Sequence, residues 1–262
     1  MICRHWELNR RGCDLGARCP RTVNELLALL KKVKVVDEPW PLPEKATWAM
    51  CRVASPSVAN TETSPSGGKV LLQIEDLSHV YKNGHTALEG ITATIYEGDY
   101  LAIVGQNGAG KSTFCKHLNK LLNPTRGRIL YKGANIASMV TEELAEQIGY
   151  VFQNPDHLIF SRSVLEEVTY GLKIRGVPEK ERNDRAIDVL RFVELEQYSN
   201  VHPFSLSKGL RQRLAVASIL VLQPEVLVID EPTTGQDWQG TQNMLALVDQ
   251  LHDRGHTIIV IT

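Results

Sequence analysis

The chain has 262 residues, 43% of them hydrophobic and 23% charged, which suits one large domain, or one domain with an appendage, around an ordinary core. With 29 Lys+Arg against 30 Asp+Glu the formal charge is −1, so there is no global pull toward nucleic acid or an acidic membrane surface. No apolar run approaches the roughly 20 residues that span a bilayer, and residues 1–20 are charged and lack the apolar stretch of a secretory signal.

Five cysteines are present: Cys3, Cys13, Cys19, Cys51 and Cys115. Cys13 and Cys19 are too far apart for the usual zinc spacing and no second pair follows, so the expected state is reduced thiols. Thr22-Val23-Asn24-Glu25 resembles a capping box opening a short leucine-rich helix. Pro39, Pro41 and Pro43 end that segment. Residues 1–54 are too few to hold a core of their own and read as an N-terminal extension, in position to be the tail of a preceding domain. Residues 55–69 are small, polar and Pro/Gly-punctuated, the composition of a flexible linker.

The character changes at Val70, and residues 70–262 read as the main domain. Residues 70–74 and 91–95 alternate apolar and polar side chains, predicting antiparallel strands. The apolar run 100–104 predicts a buried parallel strand, leading through a glycine loop into a helix over 111–122. A short strand is expected at 149–152 and a second buried strand at 225–229. Three helices are expected between them, at 164–174, 179–195 and 208–222. A helix over 238–253 and a strand over 257–261 close the chain. This alternation predicts an α/β fold: a parallel core, an antiparallel β addition and an inserted group of helices.

The loop Gly105-Gln106-Asn107-Gly108-Ala109-Gly110-Lys111-Ser112-Thr113 fits G-x-x-x-x-G-K-[ST]. Its glycines let successive N–H groups curl toward phosphate oxygens, and the following helix adds its positive end. Lys111 is placed to bridge the β- and γ-phosphates, and Ser112 to give its hydroxyl oxygen to Mg²⁺. The expected ligands are therefore ATP and Mg²⁺. The strand ending in Asp230-Glu231 supplies the companion acids. Asp230 is placed to orient Mg²⁺ and Glu231 to polarise the attacking water as general base.

Between these motifs, Phe204-Ser205-Leu206-Ser207-Lys208-Gly209-Leu210-Arg211-Gln212-Arg213 resembles the LSGGQ signature of ABC-type ATPases. Gln153, in Val151-Phe152-Gln153-Asn154-Pro155-Asp156, resembles their Q-loop, and Pro232-Thr233-Thr234-Gly235-Gln236-Asp237 their D-loop. Tyr81 stands where their adenine-stacking aromatic lies, although such a Tyr alone is more often plain packing. The resemblance covers about 70–262 and implies an ABC cassette: a P-loop NTPase core with an antiparallel β subdomain and an inserted helical subdomain. It implies that Gln153 ligates Mg²⁺ and senses the γ-phosphate. Ser207 and Gly209 would touch a nucleotide held by a second cassette, identical, different or fused. Ser207 also fits a simple helix N-cap, and both roles can hold together.

Gln153-Asn154-Pro155-Asp156 followed by Ile159-Phe160, and the run 164–178, resemble the energy-coupling-factor branch, which drives uptake of vitamins or of cobalt and nickel ions. That implies a transmembrane partner, no nucleic acid, and a cytoplasmic place on the inner face of the membrane. The sequence departs from the pattern at Lys208 and Leu210, which replace a glycine and the glutamine of the signature, and at Leu158, where the branch often has Gln. The family's switch histidine follows the strand after the D-loop; none of the eight histidines occupies that place, and His256 reads as a solvent-facing turn residue. The expectation is a truncated cassette that binds ATP with weak or no turnover. Two other readings stay open: an ABC ATPase acting on nucleic acid or ribosomes, and a degenerate regulatory half-site.

Overall fold

A computed structural model describes residues 48–52 and 68–262. The expected helix at residue 22 and nearly all of the expected linker lie outside them. The described residues form two compact units, one comprising 48–52, 68–141 and Thr257–Thr262, the other Glu142–His256.

In the first unit, β2 (Val70–Val80) and β3 (Thr86–Tyr96) form the expected antiparallel pair, each 11 residues long. Alternation buries Leu72, Ile74 and Leu77 of β2 with Ile91, Ala93 and Ile95 of β3. The sheet extends on the far side of β2 through β5 (Arg126–Tyr131) and β6 (Ala134–Asn135), in the order β3-β2-β5-β6. The sequence reading missed β5 because only Leu130 and its apolar neighbours Ile129 and Tyr131 carry the signal, behind two arginines. Those arginines are paired across the strands instead, Arg126 with Asp76 and Arg128 with Glu75, each at 2.5 Å.

The strand β4 (Tyr100–Gly105) pairs in parallel with β9 (Thr257–Ile261), Tyr100 opposite Ile258. Its other edge is covered by β1 (Trp48–Arg52), antiparallel, with Met50 opposite Ile103. The sequence reading assigned no strand to 48–52, because five residues with two polar members carry no clear period. Trp48 nevertheless is buried, its ring 5.2 Å from that of Phe114.

The helix α1 (Lys111–Leu118) begins as expected and stops four residues before the expected end. Asn119 caps it, and Lys120 turns left-handed at φ 60, a conformation no helix continues through. A short helix α2 (Thr141–Gln147), unforeseen because it has one buried residue, leads to β7 (Ile148–Val151).

In the second unit, β7 runs parallel to β8 (Val226–Asp230), and all nine of their residues are buried. Continuous apolar runs of this kind mark strands covered on both faces. The helices α3 (Val164–Ile174), α4 (Glu179–Phe192) and α5 (Lys208–Leu220) pack on one another, and α5 also lies against β7 and α6 (Trp238–Asp253). α4 ends three residues early and α5 two residues early. In each case a residue with positive φ, Glu194 or Gln223, reverses the chain just beyond.

Candidate functional site

In the first unit β4 delivers the chain into the loop 105–113, and α1 carries it away. Gly108 and Gly110 have φ 81 and 88. A Cβ on Gly110 would collide with the carbonyl oxygen of Ala87, so glycine is required there on both conformational and steric grounds. Lys111 is buried, and its Nζ donates to the carbonyls of Gly105 at 2.9 Å and Gln106 at 3.0 Å. The ammonium thus holds the loop curled from within. Ser112 and Thr113 follow in the first turn of α1, where backbone N–H groups have no helical acceptor. Together these groups form an anion-binding cradle.

Tyr81 stands beside this loop. Its hydroxyl is 2.9 Å from Thr113 Oγ1, and its ring is half exposed. His79 presents to the Tyr81 ring edge-on at 4.6 Å between centroids. Beneath lies His117 of α1, a residue the sequence reading did not single out. Its Nδ1 donates to the Thr113 carbonyl at 2.7 Å, so a neutral ring must accept through Nε2 from His79 Nδ1–H at 3.1 Å. The same His79 N–H reaches Asn123 O at 3.2 Å. That assignment leaves His79 Nε2 as a bare lone pair, and that atom is buried with no hydrogen-bond partner among the described residues. Burial, and then the neighbouring His79, hold His117 below its ordinary pKa of 6.5, against the bond to Thr113.

In the second unit β8 ends at Asp230, and Glu231 turns left-handed at φ 43. Asp230 is buried and accepts a hydrogen bond from Tyr150 Oη at 2.7 Å. Glu231 Oε2 accepts from Gln153 Nε2 at 2.6 Å and from Thr234 Oγ1 at 2.9 Å. Gln153 and Glu231, singled out separately in the sequence, are therefore in direct contact. Gln153 commits its amide N–H to the acid, which leaves a carbonyl oxygen as its possible metal donor. Ser112, Asp230 and Gln153 all offer hard oxygen atoms, the donor type that Mg²⁺ takes.

Ser207 caps α5, accepting from Leu210 N at 3.4 Å, so the N-cap reading holds. Ser207, Lys208 and Gly209 line a cavity of about 530 Å³ with Gly235, Gln236 and Asp237 of the following loop. Lys208 lies directly against Gly235. Arg211, one turn into α5, donates to Asp156 at 2.7 Å and to the Leu206 carbonyl at 2.6 Å, tying the signature segment to the turn after Gln153. Glu167 of α3 is buried and accepts from the backbone N–H groups of Phe160 and Ser161. The sequence reading gave no role to Tyr150, which carries no motif, or to Glu167, which it noted only within the run 164–178. The signal for Tyr150 was its place on the strand facing Asp230. His256 is half-buried and bonded to the Pro224 carbonyl at 2.8 Å, which corrects the solvent-facing expectation.

A glycine loop curled by its own lysine between a buried strand and a helix defines a P-loop nucleotide-binding domain. The family model described as ABC transporter matches residues 88–234, and the chain belongs to that family. An ABC transporter ATP-binding protein of Caldanaerobacter subterraneus is 45% identical over 201 residues, 77% of this chain and 35% of that protein. One of Pyrococcus horikoshii is 42% identical over 192 residues, 73% of this chain and 74% of that protein. The chain spans about a third of the length of several curated relatives it matches. Among solved structures, cbiO1 of Clostridium perfringens, part of the ABC transporter complex cbiONQ, superimposes with TM-score 0.69 at 37% identity, over 74% of this chain and 78% of that one. The ATP-binding cassette MJ0796, a dimer bound to ADP and Pi, gives TM-score 0.66 at 30% identity over 73% and 88%. The fold is that of an ABC ATPase cassette. Among the described residues no helix is long and apolar enough to cross a membrane.

Proposed function

We propose that the chain is an ATP-hydrolysing motor segment of an energy-coupling-factor type importer of a small solute, a vitamin or a metal ion. The observation that carries this reading is the 2.6 Å hydrogen bond from Gln153 to Glu231. It joins the Q-loop glutamine, which the resemblance implies senses the γ-phosphate, with the acid assigned to the chemistry.

In this reading the loop 105–113 holds the phosphates, with Lys111 turning from the Gly105 and Gln106 carbonyls to the β- and γ-phosphates. Tyr81, fixed by Thr113, stacks on adenine. Ser112, Asp230 and Gln153 hold Mg²⁺, which when bound neutralises charge on the phosphate oxygens. Glu231 holds the attacking water and takes its proton. Gln153 Nε2 is hydrogen-bonded to Oε2 of Glu231, an oxygen such a water would use. Withdrawal of Gln153 toward the metal would release that oxygen, which makes hydrolysis conditional on the position of the Gln153 segment.

Two features support the partners. The cavity at Ser207 and Gly209 is open to receive the nucleotide of a second cassette, and the solved cassette MJ0796 is a dimer. Phe160, Tyr170 and Ile174 leave 61%, 42% and 69% of their surface exposed, an apolar patch suited to a transmembrane subunit on the inner face of the membrane. A regulatory half-site is the second reading, favoured by Lys208 and Leu210 in the signature. Affinity purification from detergent-solubilised cells tests the proposal. Recovery with a polytopic membrane protein is expected; recovery with RNA or DNA instead would overturn it.

A further inference from the structure

We propose that Tyr150 is a positioning residue for the metal-orienting acid: its phenol, reaching across from β7, fixes the carboxyl plane of Asp230 at the end of β8. The proposal rests on the assignment of Asp230 to Mg²⁺ made above. β7 and β8 run parallel with Tyr150 opposite Val228. Residues two apart on a strand share a face, so Asp230 lies on the face of Val228 and Tyr150, displaced by two residue steps, about 6.6 Å. A phenol spans that distance and still ends in a donor; a Ser or Thr hydroxyl is too short, and Phe ends in carbon.

The bond itself is 2.7 Å, with Tyr150 4% and Asp230 6% exposed. A hydroxyl bonded to a carboxylate is among the stronger hydrogen bonds, and burial removes the water that could replace it. The phenol has little freedom of its own, because the Phe152 ring lies 4.8 Å from it. Rotation of the carboxyl group breaks the bond, so the acid is aimed before any ion arrives. Aiming in advance matters because a site group that must reorient on binding loses part of its interaction energy. The plainer account is that a buried tyrosine simply needs an acceptor. The two differ in one respect. If Asp230 serves only to satisfy Tyr150, loss of the hydroxyl changes stability but not the contribution of Mg²⁺ to nucleotide binding.

Isothermal titration of the full chain with ATP, once with excess Mg²⁺ and once with EDTA, separates them. The quantity read is the ratio of the two dissociation constants, the gain due to Mg²⁺. Tyr150→Phe keeps the ring and is expected to reduce that gain about three- to tenfold, with affinity in EDTA unchanged. Tyr150→Leu, a second variant without the hydroxyl, must do the same if Tyr150→Phe folds poorly. Asp230→Asn must reduce the gain too, and Tyr150→Phe added to Asp230→Asn must change it no further. A normal gain in both Tyr150 variants alongside a reduced gain in Asp230→Asn would overturn the positioning role and leave the Asp230 assignment standing. A normal gain in Asp230→Asn overturns that assignment, and the proposal with it.

Discussion

Glu231 is held in a backbone conformation that residues with a Cβ avoid, at a cost on the order of 1 kcal/mol. What offsets it is local: Thr234 N–H closes the turn onto the Glu231 carbonyl, and Thr234 Oγ1 bonds the carboxylate. Such strain beside a reactive group is a common mark of a functional turn. Glu231→Gln keeps both bonds possible and removes only the proton acceptor. We expect turnover to fall about 100- to 10,000-fold, with affinity for Mg²⁺-ATP retained, measured by phosphate release and calorimetry. The histidine pair makes a separate prediction. Protonating His117 would set its Nε2–H against the His79 N–H, and the charge would lie in a buried place. With the folded pKa below the unfolded 6.5, the unfolded chain binds more protons as pH falls. Stability is therefore complete above pH 6.5 and declines below it until the folded ring titrates too. Thermal melts from pH 7.5 to 5.5 should show the decline, and His117→Gln should flatten it. At this scale the sequence was legible where a motif carried the residue: Lys111, Asp230 and Glu231 could be named from their neighbours alone. His79, His117 and Tyr150 could not, because each acts through a partner distant in sequence, and Glu167 could not, because what it holds is the backbone of a nearby turn.

The elements divide along similar lines. Helix α6 and strand β9 were readable to the residue, since a long amphipathic period and a pure β-branched run leave little choice. Strands β1 and β5 were not, because their burial depends on what covers them rather than on their own pattern. Helix ends were overshot wherever a non-glycine residue makes the left-handed turn, as Lys120, Glu194 and Gln223 do. At the junction of β4 and α1 the reverse holds. Gly110 must be glycine, and the motif announces it. Gly110→Ala would force φ 88 on a residue with a Cβ and drive that carbon into the Ala87 carbonyl. β3, which carries Ala87, is locked to β2 over its length, so the loop must yield instead. We expect a loss of more than about 1 kcal/mol of stability and at least tenfold in ATP affinity, read by thermal melts and calorimetry.

At the scale of the molecule, the nucleotide groups and the apolar patch at Phe160, Tyr170 and Ile174 place different demands on the chain. The phosphate loop is polar and closed by its own hydrogen bonds. The patch leaves three large apolar side chains in water, with the Phe160 and Tyr170 rings packed edge-to-face at 4.6 Å. Nothing in the nucleotide chemistry requires them there, and an isolated domain gains by replacing them with charge. Their position is nonetheless enforced: buried Glu167 holds the backbone of Phe160 and Ser161, and Ser163 caps the helix that carries Tyr170 and Ile174. A costly exposure that the surrounding structure maintains is best explained by a partner that covers it. If that partner is the membrane subunit, Phe160→Glu and Ile174→Glu should leave the affinity for Mg²⁺-ATP unchanged and abolish co-purification with it. If the patch served the nucleotide instead, the same changes would weaken ATP binding while the partner was still recovered. The pair of measurements therefore assigns the surface directly, and it does so independently of whether the chain alone turns over ATP.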